Sequence, residues 1–290
     1  MNKYINKIIH DDTLKVLKTF DSNCIDLSIT SPPYNKQEKN KGWLVKNVEY
    51  DSYKDNKSEK EYQKEQIDVL NEIFRITKEG GSFFYNHKTR WEKGTMAHPI
   101  EWLLKTEWTI RQEIIWDRMI AANIRGWRFW QVDERIYWLY KPIKNNKIGK
   151  ELESKNALLT SIWRFSPERK NPHPAPFPIT LPTRIIASIL NNNDGIVLDP
   201  YCGSGTSLVA AKLLGKKFIG IDISKEYIQQ SEQRLKNAYL EKEIIQEELQ
   251  KHVVKKTFKQ RKQNREFTGR HKKDYSIFQS PLDIFHPKNI

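Results

Sequence analysis

The chain of 290 residues has two cysteines, Cys24 and Cys202, and no apolar run long enough to cross a membrane. Two thiols so far apart build neither a disulfide framework nor a cysteine metal centre, and read as small, partly buried side chains. The first residues, Met1-Asn2-Lys3-Tyr4-Ile5-Asn6-Lys7, lack the apolar core of a secretory signal, so a soluble cytoplasmic protein is expected. Acidic residues are the scarcer charge, 36 Asp and Glu against 50 Lys and Arg, for a formal net charge of +14. That excess favours a polyanionic partner, nucleic acid first. Lys, Asn and Ile are abundant together, as AT-rich coding would also make them, so charge supports that reading without carrying it. What is present suffices for a core: 38% hydrophobic and 11% aromatic residues fit one large α/β domain or two modest ones.

Apolar patterning alternates between strand and helix, which predicts a mostly parallel sheet with helices on both faces. A short strand, Lys7-Ile8-Ile9-His10, precedes Asp11-Asp12 and a helix over 13–20. The strand Ile25-Asp26-Leu27-Ser28-Ile29 ends abruptly at Thr30-Ser31-Pro32-Pro33-Tyr34-Asn35. Two adjacent prolines cannot continue a ladder, so this turn offers outward carbonyls, a serine hydroxyl and an aromatic ring, a set suited to a flat group carrying an amine. Residues 36–60 read as a mobile polar loop and 61–77 as a helix stopped by Glu79-Gly80-Gly81 before the strand Ser82-Phe83-Phe84-Tyr85. A helix over 98–104 and strands over 109–116 and 135–140 follow. Between those strands, Arg118, Arg125 and Arg128 interleave with Trp127, Phe129 and Trp130. This is either a loop with one core tryptophan or a surface where guanidinium groups meet phosphates and rings stack on bases.

The second informative stretch is Asp199-Pro200-Tyr201-Cys202-Gly203-Ser204-Gly205-Thr206, between the strand Ile196-Val197-Leu198 and a helix running to Leu214. A further strand, Phe218-Ile219-Gly220-Ile221, ends at Asp222, and a long helix is predicted over 225–250. Strand, glycine turn, helix, then a strand closing on an acid is a nucleoside arrangement: glycines admit the ligand to the backbone and the acid grips ribose hydroxyls. The turn lacks the Gly-x-Gly-x-x-Gly pattern and the Gly-Lys-Ser or Gly-Lys-Thr of a triphosphate loop. Asp199 would repel a pyrophosphate and suits a cationic group, so a positively charged nucleoside fits best.

These two stretches resemble the paired catalytic and cofactor motifs of the DNA amino-methyltransferases. With Thr30-Ser31-Pro32-Pro33-Tyr34 first and Asp199 to Thr206 near the end, the order is similar to the permuted β group, and the resemblance covers roughly residues 5–240. It implies a Rossmann-like S-adenosylmethionine-dependent methyltransferase fold with a small target-recognition insertion. Residues 1–140 would be the catalytic half of that domain, 141–172 the target-recognition region, 173–250 the cofactor-binding half and 251–290 a basic tail. The implied ligand is S-adenosylmethionine, with S-adenosylhomocysteine as product and no metal. Asp11, Phe177, Asp199, Pro200, Gly203, Ser204, Gly205, Thr206 and Asp222 would hold it. Arg118, Arg125, Arg128, Arg164 and Arg169 are the candidate DNA contacts. The tail reads either as a solvated segment or as a nonspecific DNA-contacting arm.

The mechanism this implies is positioning. An exocyclic amine is a poor nucleophile because its lone pair is delocalised, and hydrogen bonds to Ser31 Oγ and the Pro32 carbonyl would favour its pyramidal form while Tyr34 stacks on the ring; Pro33 stiffens the turn. The target atom is inaccessible in a duplex, so the base must flip out. Serine at position 31 is more typical of cytosine-N4 enzymes and can accept from the amine while donating to the adjacent ring nitrogen. Cytosine N4 is therefore favoured over adenine N6. The expected partners are double-stranded DNA and, as a candidate, a cognate restriction endonuclease, for a monomer or homodimer away from membranes. A catalytically silent DNA-binding relative is disfavoured by the intact Ser31, Tyr34, Gly203, Gly205 and Asp222. A protein-glutamine methyltransferase is disfavoured by motif order and charge. Residues 140–172 do not reveal a recognition sequence.

Overall fold

The computed structural model describes residues 1–35, 56–121, 124, 126–144, 160–168, 171, 173, 176–190, 194–251 and 263–265. The chain divides into two units, Met1–Val253 and Val254–Ile290, and of the second only 263–265 are described. In the first unit the strands are β1 (Lys7–His10), β2 (Ile25–Thr30), β3 (Thr77–His87), β4 (Arg90–Glu92), β5 (Thr95–Ala97), β6 (Thr109–Asp117), β7 (Asp133–Tyr140), β8 (Ile162–Arg164), β9 (Ile196–Asp199) and β10 (Lys217–Asp222). The helices are α1 (Thr13–Leu17), α2 (Glu59–Ile76), α3 (Ile100–Leu103), α4 (Thr180–Ile189), α5 (Thr206–Leu213), α6 (Lys225–Lys236) and α7 (Lys242–Lys251). Among the described residues no helix is long and apolar enough to cross a membrane.

Eight strands form one sheet in the order β1-β10-β9-β2-β3-β7-β6-β8, and β4 pairs with β5 separately. The pairings from β1 through β3 are parallel, β7 runs against both β3 and β6, and β8 lies parallel to β6. The sheet is thus mostly parallel, as the patterning predicts.

Strands buried on both faces show why continuous apolar runs mark this sheet. Val197 faces one core with Leu27, Ile29 and Phe84, beneath Leu181, Ile185 and Ile186 of α4 and Leu208 and Val209 of α5. Its neighbour Leu198 faces the other, with Phe83, Tyr85 and Ile219, beneath Leu17 of α1, Leu70 and Ile73 of α2 and Trp102 of α3. The α2 helix starts with a capping box in which Ser58 and Glu61 satisfy each other's backbone amides, worth about 1 kcal/mol.

Centrally, β9 and β2 lie side by side, Leu27 opposite Val197 and Ser28 opposite Leu198. From β9 the chain crosses through α5 to β10 on one side, and from β2 through α2 to β3 on the other. This is a topological switch point, and a crevice opens at the carboxyl ends of such strands.

Several elements differ from the sequence expectation. Residues 56–60 of the expected loop form the capped start of α2, while 36–55 lie outside the described residues. Gly80-Gly81 does not stop a helix: α2 ends at Ile76 and the glycines lie inside β3, where the register against β2 jumps from Ile25–Thr77 to Leu27–Ser82. Gly80 takes φ +77°, which lets the extra residues bulge. The α4 helix starts at Thr180, ahead of Pro182, because a proline in the first turn gives up an amide with no helical partner. The single helix expected over 225–250 is two, α6 and α7, separated by a 3₁₀ turn at Ala238–Glu241. The break lets α7 pack on α4 with Ile245 buried and Arg184 paired to Glu248. The strand β8 and the β4–β5 hairpin, turned by Lys93 and Gly94 at positive φ, were not expected. Most of the expected recognition region 141–172 and of the basic tail 251–290 lies outside the described residues.

Candidate active site

The carboxyl edge of the sheet gathers chain ends from distant parts of the sequence. The strands β1, β10, β9, β2, β3 and β6 finish there at His10, Asp222, Asp199, Thr30, His87 and Asp117, and the antiparallel β7 begins there at Asp133.

The proline turn leaves β2 at this edge. Thr30 Oγ1 donates to Asp199 Oδ1 at 2.7 Å, so the last residues of the two central strands are joined. Ser31 Oγ lies 2.5 Å from Tyr34 Oη. Tyr34 is buried, its ring 4.5 Å from that of His87, and its hydroxyl donates to Glu134 Oε2 at 3.0 Å. Asn86 Nδ2 lies within 2.9 Å of both Tyr34 Oη and Glu134 Oε2 and 3.3 Å from Ser31 Oγ. Arg118 Nη1 closes the set on Glu134 Oε1 at 3.0 Å. The Pro33 carbonyl, expected to face outward without a partner, accepts from Tyr62 Oη at 2.8 Å, because α2 packs beneath the turn. Asn35, at φ +52°, bonds the backbone of Lys57 through both ends of its amide. Pro32 is buried in the same turn.

The glycine turn follows β9. Asp199 is buried and accepts from Thr30, from the Tyr201 amide at 3.1 Å and from the Ser207 hydroxyl. Burial outweighs those bonds and pushes its carboxyl up to about 6. The Pro200 carbonyl accepts from Thr13 Oγ1 at 2.6 Å. Asp222 accepts from the amides of Gly203 at 2.8 Å and Ser224 at 2.9 Å, and burial raises its carboxyl above the ordinary value. Gly203 and Gly205 take φ +49° and +76°, conformations that L side chains rarely adopt. Ser204 Oγ accepts from Asn171 at 3.0 Å and Thr206 Oγ1 from Arg234 at 2.8 Å. His173 lies over Gly203 with its ring 4.5 Å from that of Tyr227, and burial lowers its imidazole to about 4, so it is neutral near pH 7.

Other candidates fall further out. Asp11 follows β1, whose His10 pairs in register with Asp222, and forms an exposed ion pair with Lys15 at 2.9 Å that lowers its carboxyl. Phe177 is buried in the core beneath α4 and α5. Arg164 pairs with Asp117 at 2.8 Å, and the guanidinium of Arg128 lies 4.0 Å over the Trp91 ring. Arg125 and Arg169 lie outside the described residues.

The structure thus brings Ser31 and Tyr34 together with Asn86, His87, Tyr62 and Glu134, which the sequence reading did not single out. The available signal was weak: Asn86-His87 closes an apolar strand with polar residues, as Thr30-Ser31 closes β2. Among the described residues no group of three or more His, Cys, Asp or Glu side chains could hold a metal ion.

A family model described as DNA methylase, for N6 and N4 enzymes, matches residues 25–233. The DNA adenine methyltransferase YhdJ of Escherichia coli K12 is 28% identical over 256 residues, covering 79% of this chain and 82% of that protein. PvuII DNA methyltransferase (cytosine-N4-specific) superposes with a TM-score of 0.64 at 20% identity, over 84% of this chain and 91% of that one. A DNA modification methylase of Thermus thermophilus, complexed with S-adenosyl-L-methionine, superposes with a TM-score of 0.58 at 24% identity, over 80% and 93%. The two superpositions concern the fold. The family model spans both motif turns and the strands that carry them, and on that ground the chain belongs to the amino-directed (N6/N4) DNA methylases.

Proposed function

We propose that this chain transfers the methyl group of S-adenosylmethionine to the exocyclic amine of a base flipped out of duplex DNA, cytosine N4 in preference to adenine N6. The observation that carries the reading is the junction of the two turns, β2 beside β9 with Thr30 bonded to Asp199. It puts an amine-binding turn and a nucleoside-binding turn at one crevice. A buried carboxylate and two glycines at positive φ fit a cationic nucleoside approaching the backbone closely.

S-adenosylmethionine supplies an electrophilic methyl on a sulfonium. The amine lone pair forms the new N–C bond as the C–S bond breaks, its electron pair staying on sulfur, and the methylated amine then loses a proton. The protein's residues position the amine. Ser31 Oγ, now satisfied by Tyr34 Oη, can accept from an entering N–H, and Glu134 lies beside it as a further acceptor fixed by Arg118 and Asn86. Tyr34 exchanging its hydroxyl contacts for those of the amine would free its ring to stack on the base. Alignment of this kind is worth effective molarities of about 10⁵ M or more. The cytosine preference rests on Ser31, which can donate to a ring nitrogen as well as accept. Asp11, Phe177, Ser204, Thr206 and Asp222 belong to the proposed cofactor side. Arg118, Arg128 and Arg164 edge the proposed DNA side, and residues 141–172 are the proposed recognition segment.

The test is transfer of labelled methyl from S-adenosylmethionine into unmethylated genomic DNA, followed by base-resolved sequencing. N4-methylcytosine at a defined sequence is the expected product. N6-methyladenine would reverse the base preference, and label in protein but not DNA would overturn the proposal.

A further inference from the structure

The loop between β6 and β7 holds the most exposed aromatic residues described in the chain. Phe129 is 98% exposed and Trp130 63%, next to Trp127 at 57%. Monomeric folds rarely leave such rings together in water, and a contiguous group marks a contact surface.

The loop is anchored on both sides of these two residues. At its base the Arg118 amide donates to the Val132 carbonyl at 2.8 Å. Before the tip, Arg128 lies 4.0 Å over Trp91, and Trp127 meets Trp91 edge-on at 6.3 Å. After it, the buried Gln131 donates to Thr89 Oγ1 at 2.6 Å. Phe129 and Trp130 are what remains between these anchors, held outward because their neighbours are pinned to the segment that follows β3. The loop also starts from the catalytic turn: Arg118 and Glu134 flank it and pair with each other, and Glu134 bonds Tyr34.

We propose that Phe129, backed by Trp130, is a wedge that enters the DNA duplex and fills the stacking gap left by the flipped base. The inference rests on the reading of this crevice as a base-methylating site. Flat apolar side chains inserted between base steps are a general device for unstacking a duplex, and arginine beside an aromatic tip suits the adjoining phosphates. A base reaching Ser31 must come from the side where the loop is rooted. A positively charged chain, +14 overall, favours DNA over a protein surface as the occupant.

The experiment compares two duplexes carrying the chain's methylation site, one with the normal partner opposite the target base and one with an abasic site there. The abasic partner leaves the target unpaired, so little opening work remains. For Phe129→Ala, kcat/KM on the paired duplex should fall about ten-fold or more relative to the native chain, with a loss of less than about three-fold on the abasic duplex. Phe129→Leu, which keeps an apolar wedge, should recover most of the paired-duplex rate. Equal losses on both duplexes would overturn the wedge. So would unchanged rates on both, and a change of oligomeric state in Phe129→Ala accompanying them would reassign the tip to a protein contact. A native chain inactive on both duplexes would instead sink the methyltransferase reading itself, so the two failures are distinguishable.

Discussion

The hydroxyl of Thr30 donates to the buried carboxylate of Asp199 at 2.7 Å, joining the two strand ends from which the motif turns depart. The residues are 169 positions apart in sequence and adjacent in the sheet. Either turn by itself is a surface feature; the bond between their strands makes them two walls of one crevice. Asp199 takes part in this only by being buried, and burial gives it a measurable signature.

The carboxyl of Asp199 is raised from 3.8 to about 6 in the folded chain. A folded value above the unfolded one means that the folded state holds the proton more tightly. The contribution to stability is therefore greatest below about pH 4 and falls as the pH rises towards 6, by about 3 kcal/mol in all at 1.36 kcal/mol per unit. Asp199→Asn should remove this component. Denaturant midpoints of both proteins between pH 4 and 7 should show the native chain losing stability relative to the variant as pH rises; parallel curves would contradict the assignment.

Gly203 sits at φ +49°, and a Cβ there would lie 2.8 Å from Nε2 of the buried His173. Gly203→Ala should destabilise the fold by about 1–2 kcal/mol from backbone conformation, with a further steric cost, and weaken S-adenosylmethionine binding. Adding His173→Ala should relieve the steric part while leaving the backbone part. A double-mutant cycle on thermal stability reads this as a coupling between the two positions. Strictly additive effects would show that the imidazole yields freely.

Tyr34 carries two separable groups. Its hydroxyl bonds Ser31 and Glu134, and its ring lies on His87. If the ring is what serves a flipped base, Tyr34→Phe should keep methyl transfer within about ten-fold, whereas Tyr34→Ala should lose about 10²-fold or more through misplacement of the amine. Both should bind S-adenosylmethionine with native affinity in calorimetry. A phenylalanine variant as inactive as the alanine one would assign the role to the hydroxyl.

The elements legible in the sequence were those whose residues specify their own geometry. Pro32-Pro33 ends a ladder wherever it stands, and Gly203-Ser204-Gly205 turns a chain whatever packs on it. Hence β2, β9, α5 and β10 fall where the apolar runs and turn residues place them, and Asp222 closes β10 as expected. The elements missed are those defined by a partner. The three residues of β8 are a strand because β6 lies beside them. Gly80-Gly81 reads as a helix stop until β2 forces a bulge in β3. The predicted long helix after Asp222 breaks because α4 offers α7 a surface, an attraction with no local trace.

The same division runs through the site. By itself the sequence determined which side chains stand at the ends of β2 and β9, since strand ends and tight turns follow from φ restrictions and apolar runs acting over a few residues. It also determined the family those two turns resemble. Only the tertiary structure decided what surrounds them: Glu134, 100 positions from Tyr34, reaches its hydroxyl because β7 runs antiparallel and begins where the parallel strands end. Burial of Asp199, the hydroxyl network on Ser31 and the outward set of Phe129 all depend on groups distant in sequence. Electrostatics and packing act through space, and which groups meet is set by the order of strands in the sheet.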